Sequence, residues 1–189
     1  GLAIGLGIAL TLMLILLLRK GTAGFVKSAS ASVFALVYLP FLTGFLILLA
    51  RPHNGLEQIM VFVILVASND TFAYVFGVLL GKHPMAPAIS PKKTWEGFAG
   101  SLIFTTVLGY FSFDGILNLN AWVGAAVGLL IVFTATTGDL IESAIKRDFA
   151  IKDMGDLLPG HGGVMDRLDS IVTSAPALWV VLELVRHFS

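Results

Sequence analysis

Eleven of the 24 charged residues in this chain fall between Asp139 and Asp169, about a sixth of its length. Asp139, Glu142, Ser143, Lys146 and Arg147 recur at three- and four-residue intervals, which puts them on one face of a helix. Glu142 and Lys146 are spaced for an i,i+4 ion pair. Asp166 and Asp169 repeat the geometry where the last apolar segment begins. Between these two groups lies a run of turn-forming residues, 158–164, in which Gly160, Gly162 and Gly163 flank His161. Such glycines let backbone amides approach a ligand, as phosphate-cradling loops do. Carboxylates on two helix ends, joined by a glycine-rich turn and flanked by Lys146, Arg147, Lys152 and Arg167, suit a hard divalent ion. Mg2+ in particular takes a few carboxylates and completes its shell with substrate phosphate oxygens. The P-loop pattern Gly-x4-Gly-Lys-Ser/Thr does not occur. A salt-bridged helical hairpin beside the membrane would use the same residues, with His161 a structural hydrogen-bonding side chain.

Two further segments carry candidate chemistry. Residues 81–97 contain Pro84, Pro87 and Pro91, which forbid a continuous helix, and then Ser90, Lys92, Lys93 and Thr94. Ammonium groups, hydroxyls and free amides at a helix start are what a phosphate ligand wants. The same loop also reads as a cationic membrane anchor with a helix cap and an interfacial Trp95. Upstream, Ser68, Asn69 and Asp70 interrupt an apolar run. A carboxylate near the bilayer centre costs at least about 2.5–3.5 kcal/mol. Asp70 is therefore expected to face a polar cavity or a cation.

These residues need elements to hold them, and composition names the kind. The chain has 189 residues, 57% hydrophobic and 13% charged, with a mean hydropathy of +0.91. Soluble domains are roughly a quarter charged, so an ordinary water-soluble fold, a disordered chain and a collagen-like one are excluded. Twelve Lys and Arg offset twelve Asp and Glu, which argues against a basic nucleic-acid binder. The absence of Cys removes disulfides, thiolate metal sites and a Cys nucleophile. The expected fold is all-α, a polytopic transmembrane helix bundle. A bilayer core needs about 20 helical residues, and about six segments approach this: 1–18, 31–50, 57–81, 97–113, 121–137 and 171–185.

Pro40 and Pro176 fall inside two of these segments and are expected to kink them. The Gly1/Gly5 and Gly124/Gly128 pairs predict close helix packing. Lys and Arg in the successive gaps number 3, 1, 3, 0, 4 and 1, which places the first, third and fifth connections in the cytoplasm. The domain reading is 1–56 for N-terminal membrane helices and 57–189 for a catalytic membrane domain with cytoplasmic loops 82–96 and 138–170. Because the chain opens at Gly1 inside an apolar run, it is expected to be a fragment of a longer protein.

Ser143, Lys146 and Arg147, then Lys152 and Asp153, then Pro159 through Gly163 with Asp166, Arg167 and Asp169, resemble the signature of phosphatidate cytidylyltransferases (CDP-diacylglycerol synthases). Residues 68–74 and 90–97 resemble further segments of that family, so the likeness spans roughly 68–170. The resemblance implies a multi-pass enzyme of the bacterial inner membrane that joins CTP to phosphatidic acid, releasing pyrophosphate. It also implies Mg2+ dependence, an intramembrane polar cavity and a homodimer.

On that footing the expected mechanism is in-line attack of the lipid phosphate on the CTP α-phosphorus. Asp139, Asp166, Lys152 and His161 are the expected catalytic residues, with Asp139, Asp166 and Asp169 as Mg2+ ligands. Ser90, Lys92, Lys93, Asn69, Asp70, Ser143, Lys146, Arg147, Gly162, Gly163 and Arg167 are assigned to substrate binding. Asp70 either binds a second cation or lines the lipid side of the cavity. The alternatives are a lipid kinase that uses CTP and a cation-coupled transporter.

Overall fold

The computed structural model describes residues 42–148 and 165–188, with backbone alone for 165–169, together with Ile8, Thr11, Met13, Leu14, Ile15, Leu17, Leu18 and Arg19. The chain divides into two compact units, Gly1–Gly44 and Phe45–Ser189. The described residues of the first are helical. The second contains the remaining elements in the order α1 (Leu42–Ala50, from Phe45 onward), α2 (Gly55–Leu80), β1 (Pro84–Ala86), β2 (Ser90–Thr94), α3 (Trp95–Ser112), α4 (Ala121–Asp148) and α5 (Met165–Phe188). A π-helical turn, Phe113–Leu117, extends α3 and ends at Asn118, whose φ of 52° is left-handed. Asn is one of the few residues that tolerate that region.

Four helices, Gly55–Leu80, Trp95–Leu117, Ala121–Asp148 and Ser170–Phe188, are long and apolar enough to cross a membrane. They correspond to the last four segments expected from the sequence, and the protein is a membrane-embedded, multi-pass helical bundle. Segments 1–18 and 31–50 fall largely outside the described residues, as does Pro40. Pro176 lies inside α5. The helical face expected for Asp139 to Arg147 continues the fifth apolar segment without a break, since α4 runs to Asp148. Its 28 residues span about 42 Å at 1.5 Å each, against a hydrocarbon core of about 30 Å. The polar stretch 139–148 therefore projects as an extension of the membrane helix, and the loop assigned to 138–170 begins as helix.

Neighbouring helices pack in sequence order, α2 on α3, α3 on α4 and α4 on α5. The core between them holds Leu49, Phe62, Leu65, Phe113, Ile131 and Leu178, with Phe45 edge-on to Trp179 at 5.3 Å. In lipid the hydrophobic effect does not drive helices together, and close backbone approach takes its place. The Gly124/Gly128 pair does this against α3. A Cβ on Gly124 would lie 2.3 Å from the Gly109 carbonyl oxygen, and one on Gly128 would lie 2.5 Å from that of Thr105.

Buried and half-buried hydroxyls tie the same helices. Ser68 and Thr105 pair at 3.2 Å between α2 and α3, and Thr134 donates to Ser174 at 3.0 Å between α4 and α5. At the other end of α2, buried Gln58 donates to Asn54 at 2.8 Å and accepts from Arg186 at 3.0 Å.

The segment between α2 and α3, expected only as a non-helical loop, is an antiparallel hairpin with Pro84 opposite Thr94 and Ala86 opposite Ser90. Its prolines suit this fold. Pro84 opens β1, Pro87 lies in the turn, and Pro91 follows the first residue of β2. In a two-stranded sheet both strands are edges, where a missing N–H is tolerated. Glu96 closes the hairpin base. Its Oε1 meets His83 Nδ1 at 2.5 Å, and its Oε2 accepts from the Lys82 and His83 amides at 3.2 Å each. Thr94 caps α3, accepting from the Gly97 amide at 3.2 Å.

Candidate active site

The polar step in α2 sits ten residues from the end of the helix at Leu80, or about 15 Å along the axis. Asn69 is only 3% exposed, and its Nδ2 donates to Asp70 Oδ1 at 3.0 Å. That bond orients the amide, because a carboxylate can only accept. Asp70 Oδ2 in turn accepts from Ser170 Oγ at 3.3 Å, across a hundred residues of chain. Thus α2 meets the first turns of α5, the helix that carries Asp166, Arg167 and Asp169 on its backbone.

A cavity of about 290 Å³ opens between α2, α3, α4 and the hairpin. Asn69 and Asp70 line it from α2, Ser90, Lys92 and Lys93 from β2, and Asp139 from α4. These six residues come from three separate stretches of sequence, and the fold brings them to one cavity. The ion pair between Lys93 Nζ and Asp139 Oδ2 joins hairpin to α4. A second tie lies further along α4, where Arg147 Nε donates to the Ile89 carbonyl at 3.3 Å.

One turn beyond Asp139, Glu142 is 3% exposed and holds Lys146 at 2.8 Å, the i,i+4 pair expected from the spacing. Ser143 is half-buried on the same helix. Lys152, His161, Gly162 and Gly163 lie outside the described residues, as do the side chains of Asp166, Arg167 and Asp169. Tyr74, Met85, Phe98 and Thr136 also line the cavity. Sequence reasoning missed them as site residues. Tyr74 alone carried a signal, one turn after Asp70 on the same helix.

The walls suit a hard cation as well as an anion. Asp70 and Asp139 supply carboxylates, and the buried Asn69 Oδ1 accepts no hydrogen bond among the described residues. An all-oxygen set of this kind is what Mg2+ takes. Among the described residues no three His, Asp or Glu side chains converge.

The cytidylyltransferase family model matches residues 3–185. A Mycobacterium bovis protein named phosphatidate cytidylyltransferase is 48% identical over 161 residues, covering 85% of this chain and 53% of that protein. A Mycobacterium leprae protein of the same name is 45% identical over 172 residues, covering 88% and 55%. One from Staphylococcus aureus is 41% identical over 143 residues, covering 74% and 54%. The chain spans about half the length of these curated relatives. With nearly its whole length matched, the chain belongs to the cytidylyltransferase family.

Proposed function

We propose that the intact protein transfers CMP from CTP to phosphatidic acid, giving CDP-diacylglycerol and pyrophosphate. Family membership supports the reaction class, and the relatives' name supports the lipid acceptor. The observation that carries the reading is the cavity where Lys92, Lys93 and Asp139 meet Asp70 inside a membrane helix. A site at this depth suits a substrate that stays in the bilayer. The relatives reported above share one name, so a CTP-using lipid kinase or a cation-coupled transporter gains no support from them.

A phosphate oxygen of phosphatidic acid attacks the α-phosphorus of CTP. The new P–O bond replaces the α–β phosphoanhydride bond, and pyrophosphate leaves with that electron pair. The attacking oxygen is already anionic near neutral pH, so the site needs positioning and charge rather than a strong base. Lys92, Lys93 and Arg147 hold phosphate oxygens from the hairpin and α4, with Lys146 beside them. Lys152 and Arg167 add charge from the connection and α5. The Ser90 and Ser143 hydroxyls and the amides of Gly162 and Gly163 donate to the same oxygens, with His161 shaping that turn. Asp139, Asp166 and Asp169 would hold Mg2+, and Asp70 with Asn69 would hold a second cation or face the lipid. When bound, Mg2+ offsets the negative charge that collects on the departing pyrophosphate.

The Lys and Arg distribution supports a cytoplasmic placing of the hairpin and of residues 138–170. An inner-membrane location and a homodimer complete the reading, on the family resemblance alone. Incubation with labelled CTP, Mg2+ and phosphatidic acid, followed by lipid extraction, tests it. Label in a CDP-lipid together with free pyrophosphate is expected. Release of CDP, or solute flux without nucleotide consumption, would overturn it.

A further inference from the structure

Asp139 is asked to serve a cation, yet an ammonium already occupies it. Lys93 and Asp139 reach each other from β2 and α4, with side chains 24% and 35% exposed, and both line the cavity. We propose that this ion pair is the resting arrangement of the site and that binding exchanges its partners. A divalent cation takes the Asp139 carboxylate, and the released Lys93 takes a phosphate oxygen of the incoming anion. The proposal rests on the cytidylyltransferase reading, which supplies both ligands.

Three observations carry it. A lysine holds a carboxylate as a flexible point charge, without the two-pronged geometry that locks an arginine in place. The hairpin has a separate hold on α4 through Arg147 and the Ile89 carbonyl, and its base is clasped by Glu96. Lys93 can therefore leave Asp139 while β2 stays where it is. Finally, Lys92 lines the same cavity from the neighbouring position, so the wall keeps a cation while Lys93 moves. Each ligand alone meets a cost. A cation alone must displace an ammonium, and an anion alone must draw Lys93 off and leave a carboxylate facing phosphate. Arriving together, each removes the other's obstacle, which is reciprocal coupling between two sites.

The test is Mn2+ binding to the intact protein in phosphatidylcholine nanodiscs, followed by electron paramagnetic resonance without nucleotide. Lys93→Met should tighten Mn2+ binding by about threefold to fivefold, the upper part of the range for a partly exposed ion pair. With Mn2+ saturating, the same variant should bind inorganic pyrophosphate at least about tenfold more weakly, the loss of one charged hydrogen bond. Lys92→Met should tighten Mn2+ binding clearly less than Lys93→Met does, and Lys93→Met should gain less in an Asp139→Asn background than in wild type.

Unchanged or weaker Mn2+ binding in Lys93→Met overturns the exchange, and so does an equal gain in Lys92→Met. Lys93→Gln repeats the titration if the Met variant does not fold. Because the Mn2+ titration contains neither CTP nor phosphatidic acid, its failure is distinct from a failure to make CDP-diacylglycerol.

Discussion

Gly97 lies where packing and chemistry meet, and Gly97→Ala should damage both. It is buried at the start of α3, on the cavity wall, against α2. A Cβ there would lie 2.5 Å from the Ala73 carbonyl oxygen and 3.2 Å from Gly77 Cα, where real Cβ contacts stay above 3.0 Å. The two helices must separate by roughly 0.5 Å to admit it, a small-to-large change costing about 1–3 kcal/mol. Alanine recovers about 0.5–1 kcal/mol of backbone entropy in a helix, leaving a net loss of about 0.5–2 kcal/mol.

Ala73 is also three residues from Asp70 on the same cavity wall, so the shift reaches the site. A misplacement of about 1 Å can cost 10²-fold in rate, and half of that displacement is expected to cost about tenfold. The assay pairs a thermal midpoint in detergent with the initial CDP-lipid rate per folded protein. Gly115→Ala is the comparison, because a Cβ there meets nothing within 4 Å, and it should match wild type in both. If Gly97→Ala keeps a wild-type midpoint and a rate within twofold, the close α2–α3 approach does not set the site.

Asp139→Asn and Asp166→Asn should each remove turnover while the protein remains folded in the membrane, as read by labelled-CTP incorporation and by size-exclusion profile; wild-type-like conversion with Mg2+ supplied would remove both from the site. Glu96→Ala strips the hairpin base of three partners, so exchange at the His83 and Trp95 amides should rise at least about tenfold, one lost charged hydrogen bond's worth, with a higher KM for CTP. Gln58→Ala, at the opposite end of α2 from the hairpin, removes bonds to Asn54 and Arg186 and should cost about 1–3 kcal/mol of stability. Its turnover per folded molecule should stay at wild type.

Much of this molecule follows from local pattern. Apolar runs of bilayer length specify the helices α2 to α5, because a backbone in lipid must satisfy its own hydrogen bonds. Pro84, Pro87 and Pro91 break the chain where the hairpin forms, and Glu142 pairs with Lys146 because a helix brings every fourth residue to one face. Each of these depends on neighbours within a turn or two. The site depends on none of them alone.

Lys93 meets Asp139 from 46 residues away, and Asp70 meets Ser170 from 100. Which pairs meet is decided by how the helices cross, at contacts such as Gly97 against Ala73 and Gly124 against Gly109. Those crossings depend on shape complementarity; the spacing of Gly124 and Gly128 announces a close approach but not the helix that makes it. The sequence by itself determined a membrane helix bundle and its stock of charged and hydroxyl-bearing residues. Tertiary packing alone decided that the polar step of α2, the lysines of the hairpin and the acid of α4 share one cavity, and that Asp139 rests against Lys93.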